Sequence, residues 1–172
     1  MSHWSHLLDL KTHAHYPIRI IVAFQREARL STVREANVTI LTWSHDCIIG
    51  VQAMDDQHGI LMDTLNELRR MIVRGSERRE ICLQLERLIE FTQMHFQSEE
   101  QLLEQHAFPG ASEHRDSHHA LLSQLDSALE HVNREEPVHF SSVLEFLPAW
   151  YQEHVEQVDQ PYGQWLNEHG VY

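Results

Sequence analysis

Fifteen of the 172 residues are histidine, and seven side chains in four stretches of the chain stand at intervals that suit metal ligands. They are His58, the pair His95 and Glu99, the pair His114 and His118, and the pair His154 and Asp159. Neutral imidazole donates well to iron, zinc and copper, and a carboxylate can bridge two ions through its two oxygens. Five imidazoles and two carboxylates are too many for one ion. Two ions about 3.5 to 4 Å apart would use them all.

A helix turns by about 100° per residue, so side chains four apart lie within about 40° of each other on one face. His95 with Glu99 and His114 with His118 satisfy that condition. One such pair in a histidine-rich helix is ordinarily a solvated face, and the weight comes from the coincidence of four stretches. His154 and Asp159 are five apart, which on a regular α-helix separates them by about 140°. Their pairing requires a π-type turn, or an Asp159 that reaches across as a bridge. Pro161 just beyond suggests a helix that is already ending.

The elements that must position these residues are helical. Asp55 or Asp56 can cap a first helix with Ile60, Leu61, Leu65, Leu68 and Ile72 on its apolar face and Gly75-Ser76 as its stop. A second helix, from Glu77 to about Gln105, carries Ile81, Leu85, Leu88, Ile89, Phe96, Leu102 and Leu103 and breaks at Phe108-Pro109-Gly110. Ser112 is a good N-cap for a third, running through Leu121, Leu122, Leu125 and Leu129 to about Arg134. The fourth spans Val138 to about Val158, with a kink or local break at Pro148. Helices of this length joined by short loops predict an all-α fold, an up-down-up-down antiparallel four-helix bundle. The apolar run Cys47 to Val51 reads as an N-terminal arm across the bundle, anchored by Trp43.

Residues 1–41 differ from the rest. They hold the only lysine, Lys11, and five basic against three acidic residues, whereas the remainder carries eight against twenty-three. An irregular or disordered N-terminal extension is expected there, with the bundle domain over 42–169; translation starting near Val38 to Leu41 is a sharper alternative. The net charge of −13 and the lack of a basic stripe argue against nucleic acid and anionic membranes as partners. No run reaches the roughly 18 to 20 apolar residues of a membrane span, and the N-terminus lacks the features of a signal peptide. The two cysteines, Cys47 and Cys82, form no disulfide-style framework. A cytoplasmic protein is expected.

Taken together, Met54-Asp55-Asp56-Gln57-His58, the run Phe91 to Glu100 around His95 and Glu99, Phe108-Pro109 followed by His114 and His118, and Trp150 with His154 and Asp159 resemble the bacterial hemerythrins. The likeness runs from Trp43 to about Trp165, and all seven ligand positions are filled. It implies two non-haem iron ions per chain, oxo- or hydroxo-bridged. His58 and His95 would hold the ion with an open position, His114, His118 and His154 the other, with Glu99 and Asp159 bridging. It implies reversible O2 binding for carriage, storage or local delivery, by a protein that is not an enzyme. Nitric oxide and peroxide are further ligands of that chemistry, and the alternatives are a sensor module or a peroxide- or nitric oxide-reducing enzyme. Leu61, Met62, Phe91, Leu103, Leu121 and Leu122 lie three or four residues from ligands and are expected to line the site. The family typically has leucine where this chain has Tyr151, so a phenol facing the metals is the feature that would favour redox chemistry. Its hydroxyl could instead turn to solvent or a helix carbonyl. A ferritin-like site would need Glu-x-x-His on two helices, and this chain offers only Glu136 with His139, with Pro137 inside. His45, His106, His119, His131, His139 and His169 fall off the ligand spacings, and most are expected at the surface.

Overall fold

The computed structural model describes residues 41, 42, 44–133 and 141–172, which fall within one compact unit. The expectations for residues 1–40, for Trp43 as an anchor, for the side chain of His131, for helix ends at Arg134 and Val138 and for His139 lie outside the described residues.

The described chain opens with a short 3-10 turn, His45–Cys47, and an extended arm. It continues as α1 (Gln52–Val73), α2 (Arg78–Gln105), α3 (Ala111–Asn133) and α4 (Ser141–Glu153), then a π-helical turn (His154–Asp159) and α5 (Gln160–Glu168). Among the described residues there is no strand. Neighbouring helices run antiparallel. Gln57 pairs with His95 and Gln84 with the Thr64 carbonyl across α1 and α2, while Glu100 pairs with His118 and Glu104 with Arg115 across α2 and α3. The fourth leg, α4, closes on α1 through Tyr151 and His58. This is the expected four-helix bundle.

The buried stripe of α1 is Met54, His58, Leu61, Met62, Leu65, Asn66, Leu68 and Met71. Ile60, assigned to that stripe from spacing alone, is 49% exposed; a period of 3.6 allows one of two adjacent apolar residues to face the core, and Leu61 takes the place. The α2 stripe, from Ile81 to Leu103, interleaves Thr92, His95 and Glu99 with its apolar residues. The metal-ligand candidates thus occupy core positions of the helix.

Several boundaries differ from expectation. α1 begins at Gln52, ahead of Asp55. The Asp55 carboxylate accepts the backbone N–H groups of Ile49 (2.9 Å) and Gly50 (3.1 Å), so it fastens the arm rather than capping the helix. α3 starts at Ala111, which puts Ser112 inside it. α4 runs through Pro148 without a break. Pro161 does not end the last leg: it lies in the first turn of α5, where proline's missing N–H has no helical partner to lose. α1 closes with Gly75 at φ 72 and the Ser76 N–H on the Met71 carbonyl. α2 closes in the same way with Ala107 at φ 56 and the Phe108 N–H on Leu103, a conformation usually left to glycine.

Candidate metal centre

His58 comes from α1, His95 and Glu99 from α2, His114 and His118 from α3, and His154 and Asp159 from the two ends of the π turn. All seven are buried, Glu99, His118 and Asp159 completely. The five-residue interval closes because the wider π turn carries about one extra residue, which brings Asp159 back toward the face of His154. His154 Nε2 lies 3.2 Å from Asp159 Oδ1.

The inward atoms converge. His114 Nε2 is 3.1 Å from Glu99 Oε1 and 3.6 Å from Asp159 Oδ1. His95 and His118 each place Nε2 3.4 Å from Glu99 Oε2, and His58 Nε2 is 3.3 Å from Asp159 Oδ2. Asp159 therefore offers one oxygen to His58 and the other to His114 and His154. Glu99 divides less cleanly, since Oε2 faces both His95 and His118. Glu99, His114, His118 and His154 form the tightest group, with one donor atom from each lying within 4.8 Å of the others.

These contacts are near hydrogen-bonding range but poorly aligned for it. Both oxygens of Glu99, both of Asp159, and the Nε2 atoms of His58 and His114 are buried without a hydrogen-bond partner. Leaving a buried polar atom unpaired costs roughly 1–3 kcal/mol, and more if it is charged. A cluster of this size is sustainable only if something else satisfies it, and a cation bound by imidazole and carboxylate does so. The donor set fits the metal pair that the sequence implies.

Electrostatics point the same way. Burial pushes His58 and His154 below the ordinary imidazole value and brings His95 to about 3, so these rings are neutral, the form that binds metal. Burial raises the Asp159 carboxyl well above its ordinary value, reinforced by the neighbouring Glu99. At Glu99 burial also acts upward, but the contacts from His114 and His118 outweigh it and hold the group well below the usual range. Two facing carboxylates cannot both ionise cheaply without positive charge between them.

Aromatic rings wall one side of the centre. Phe96 stacks on His118 at 3.6 Å between ring centroids and Trp150 on His154 at 4.4 Å, fixing both imidazole planes. Of the residues expected to line the site, Leu61, Met62, Leu103 and Leu121 are buried, whereas Phe91 and Leu122 are only half-buried. His45, His119 and His169 are exposed and His106 is half-buried. Tyr151 is buried, and its hydroxyl donates to the backbone carbonyl of His58 at 2.9 Å. The phenol is thus turned to a helix carbonyl. Tyr162 was missed by the sequence reading. It is fully buried, its ring packs edge-on against His114 at 5.3 Å, and its hydroxyl has no hydrogen-bond partner. Burial, then the charges of Glu99 and Asp159, raises its pKa well above the ordinary phenol value. Its interval of three from Asp159 was the available signal.

Five imidazoles and two carboxylates turned inward between four helical legs define a metal-binding bundle protein. The family model described as the hemerythrin HHE cation binding domain matches residues 49–166, and the chain belongs to the hemerythrin family. It is 28% identical over 131 residues to the bacteriohemerythrin of Methylococcus capsulatus, covering 76% of this chain and 99% of that one. The bacteriohemerythrin of Stenotrophomonas maltophilia is 23% identical, over 77% of this chain and 85% of its own. The crystal structure of a wild-type hemerythrin superposes with a TM-score of 0.69 at 28% identity, covering 73% of this chain and 97% of that one. A hemerythrin variant with leucine replaced by tyrosine matches with a TM-score of 0.68.

Proposed function

We propose that this protein binds O2 reversibly at a non-haem di-iron centre and serves as a carrier, a store or a local source of O2. The observation that carries the reading is the set of buried, unpartnered carboxylate oxygens and imidazole nitrogens that face one another. His58 and His95 would hold one ion, His114, His118 and His154 the other, with Glu99 and Asp159 shared between them. With two histidines for one ion and three for the other, the first would have a position left for ligand. Iron held there in the ferrous state would supply the electrons for reversible O2 binding.

The chain's own residues supply the rest. Nδ1–H of His95 and His118 donate outward, which leaves their Nε2 atoms facing inward as the donor atoms. Leu61, Leu103 and Leu121 help to exclude bulk water from the bundle interior. Tyr151 spends its hydroxyl on the His58 carbonyl, so the feature that would most favour a peroxide- or nitric oxide-reducing enzyme is directed elsewhere. Residues 42–169 form the functional domain in this reading. No described helix is long and apolar enough to cross a membrane. The two buried, free thiols of Cys47 and Cys82 suit a reducing compartment, and we place the protein in the cytoplasm.

Metal analysis combined with optical spectra of the reduced protein, before air, after air and after degassing, tests the proposal. Two irons per chain with a charge-transfer band that appears and disappears reversibly is the expected result. Rapid irreversible oxidation would overturn O2 carriage in favour of a redox role.

A further inference from the structure

Two hydrogen bonds lead outward from imidazoles of the centre, and they end on groups of different charge. His95 Nδ1–H donates to Oε1 of Gln57 at 2.9 Å, and His118 Nδ1–H donates to Oε1 of Glu100 at 2.9 Å. On the inner side each ring has Nε2 3.4 Å from the same Glu99 oxygen, and His118 Nε2 also lies 3.2 Å from His154 Nε2. Glu100 is itself held from outside by Arg115, whose Nε lies 3.3 Å from Oε2 and whose Nη2 pairs with Glu104. His58, on the same side as His95, has no partner at all for its buried Nδ1.

An imidazole whose N–H donates to a carboxylate takes on part of the character of the anion and becomes a stronger electron donor; an amide acceptor fixes the ring without that gain. We propose that Glu100 and Gln57 make the two halves of the centre electronically unequal, with Arg115 moderating Glu100 from the surface. Glu100 makes His118 electron-rich and favours the oxidised state on its side. Gln57 leaves His95 a weaker donor, so the side of His58 and His95 is the more easily kept reduced. Arg115 is 38% exposed, so its pull on Glu100 is open to screening by salt. The inference rests on reading the seven side chains as di-iron ligands.

Three variants of the full, iron-loaded chain test it: Glu100→Gln, Gln57→Glu and Arg115→Ala. The readouts are the midpoint potential, followed optically, and the iron content. Glu100→Gln keeps a hydrogen-bond acceptor but loses the charge, and raises the potential. Gln57→Glu adds a charge behind His95 and lowers it. Arg115→Ala releases Glu100 from its counter-charge and also lowers it, by less at high salt. A shift of about tenfold in the oxidation equilibrium, about 59 mV for a one-electron couple, is the scale expected of the two inner variants. A purely positional role would leave Glu100→Gln near the parent value and give no opposite shift in Arg115→Ala; either result overturns the proposal. Should Glu100→Gln fail to take up iron, the sign of the shift in Arg115→Ala, a surface change, still decides. A parent chain that takes up no iron overturns the functional reading and this inference with it, whereas a loaded parent with unshifted variants overturns the inference alone.

Discussion

Tyr151 and Tyr162 are both buried phenols beside the centre, and their hydroxyls are in opposite situations. Tyr151 donates to the His58 carbonyl, a backbone group already inside a helix. Tyr151→Phe should therefore cost about 1 kcal/mol of stability in urea denaturation, the usual net worth of one hydrogen bond. It should leave the lifetime of the oxygenated form unchanged; a lengthened or shortened lifetime would show that the hydroxyl reaches the ligand after all. Tyr162 buries a hydroxyl with no partner. Tyr162→Phe should leave the metal-free protein as stable as the parent or more so, since it removes an unpaid desolvation cost. A loss of more than about 1 kcal/mol would reveal a hydrogen bond to Glu99. The pairs His95 with Glu99 and His114 with His118 were legible because helical spacing fixes which face a side chain occupies, and the wide turn was one of two ways in which His154 and Asp159 could meet. Spacing does not fix where a rotatable hydroxyl ends, which is why Tyr151 had two readings. Tyr162 escaped because Pro161 was read as the end of a helix when it is the start of the next.

Among the elements, the arm before α1 is held by contacts that local sequence signals do not show. Asp55 takes two of its N–H groups, and the side-chain amides of Gln160 and Asn167 donate to the carbonyls of Ile48 and Ile49. These partners are more than a hundred residues away for the two carbonyls, so the sequence showed an arm but not its fastening. The approach is closest at Gly163, where a Cβ would come within 2.5 Å of the Ile49 carbonyl oxygen. Backbone cannot yield as a flexible side chain does. Gly163→Ala should cost about 1–3 kcal/mol, the scale of overpacking in a core, and should act by loosening the arm. Cys47 lies at the start of that segment and Cys82 lies in α2, both buried. Timed reaction with a thiol reagent should thus show faster labelling of Cys47 with Cys82 still protected. Equal acceleration at both would mean that the whole bundle opens, and that the arm is not a separate unit.

At the scale of the whole molecule, the centre makes the stability of the metal-free protein depend on acid. His58, His95 and His154 are held neutral by burial, with His95 at about 3, against an ordinary value of 6.5 in the unfolded chain. Below about pH 6.5 each of these rings gains a proton on unfolding, so acid favours the unfolded state. The loss is about 1.4 kcal/mol per pH unit for each imidazole, and it continues down toward the folded value. For His95, between about 6.5 and about 3, that amounts to about 5 kcal/mol, a large part of a total stability of about 5–15 kcal/mol, and His58 and His154 act in the same direction. Glu99 adds to the trend only below its ordinary value of 4.5. Asp159 has the opposite sign: its carboxyl is raised in the fold, so its contribution is present at low pH and fades as pH rises above the ordinary 3.8. Urea denaturation in the presence of a chelator should accordingly show stability falling steeply from about pH 6.5 downward. The loaded protein should hold its midpoint further into acid, because metal and proton compete for the same nitrogens. A chelated protein whose midpoint stays flat between pH 7 and 4 would mean that the imidazoles are already charged or already solvated in the fold, and the buried neutral donor set would have to be given up.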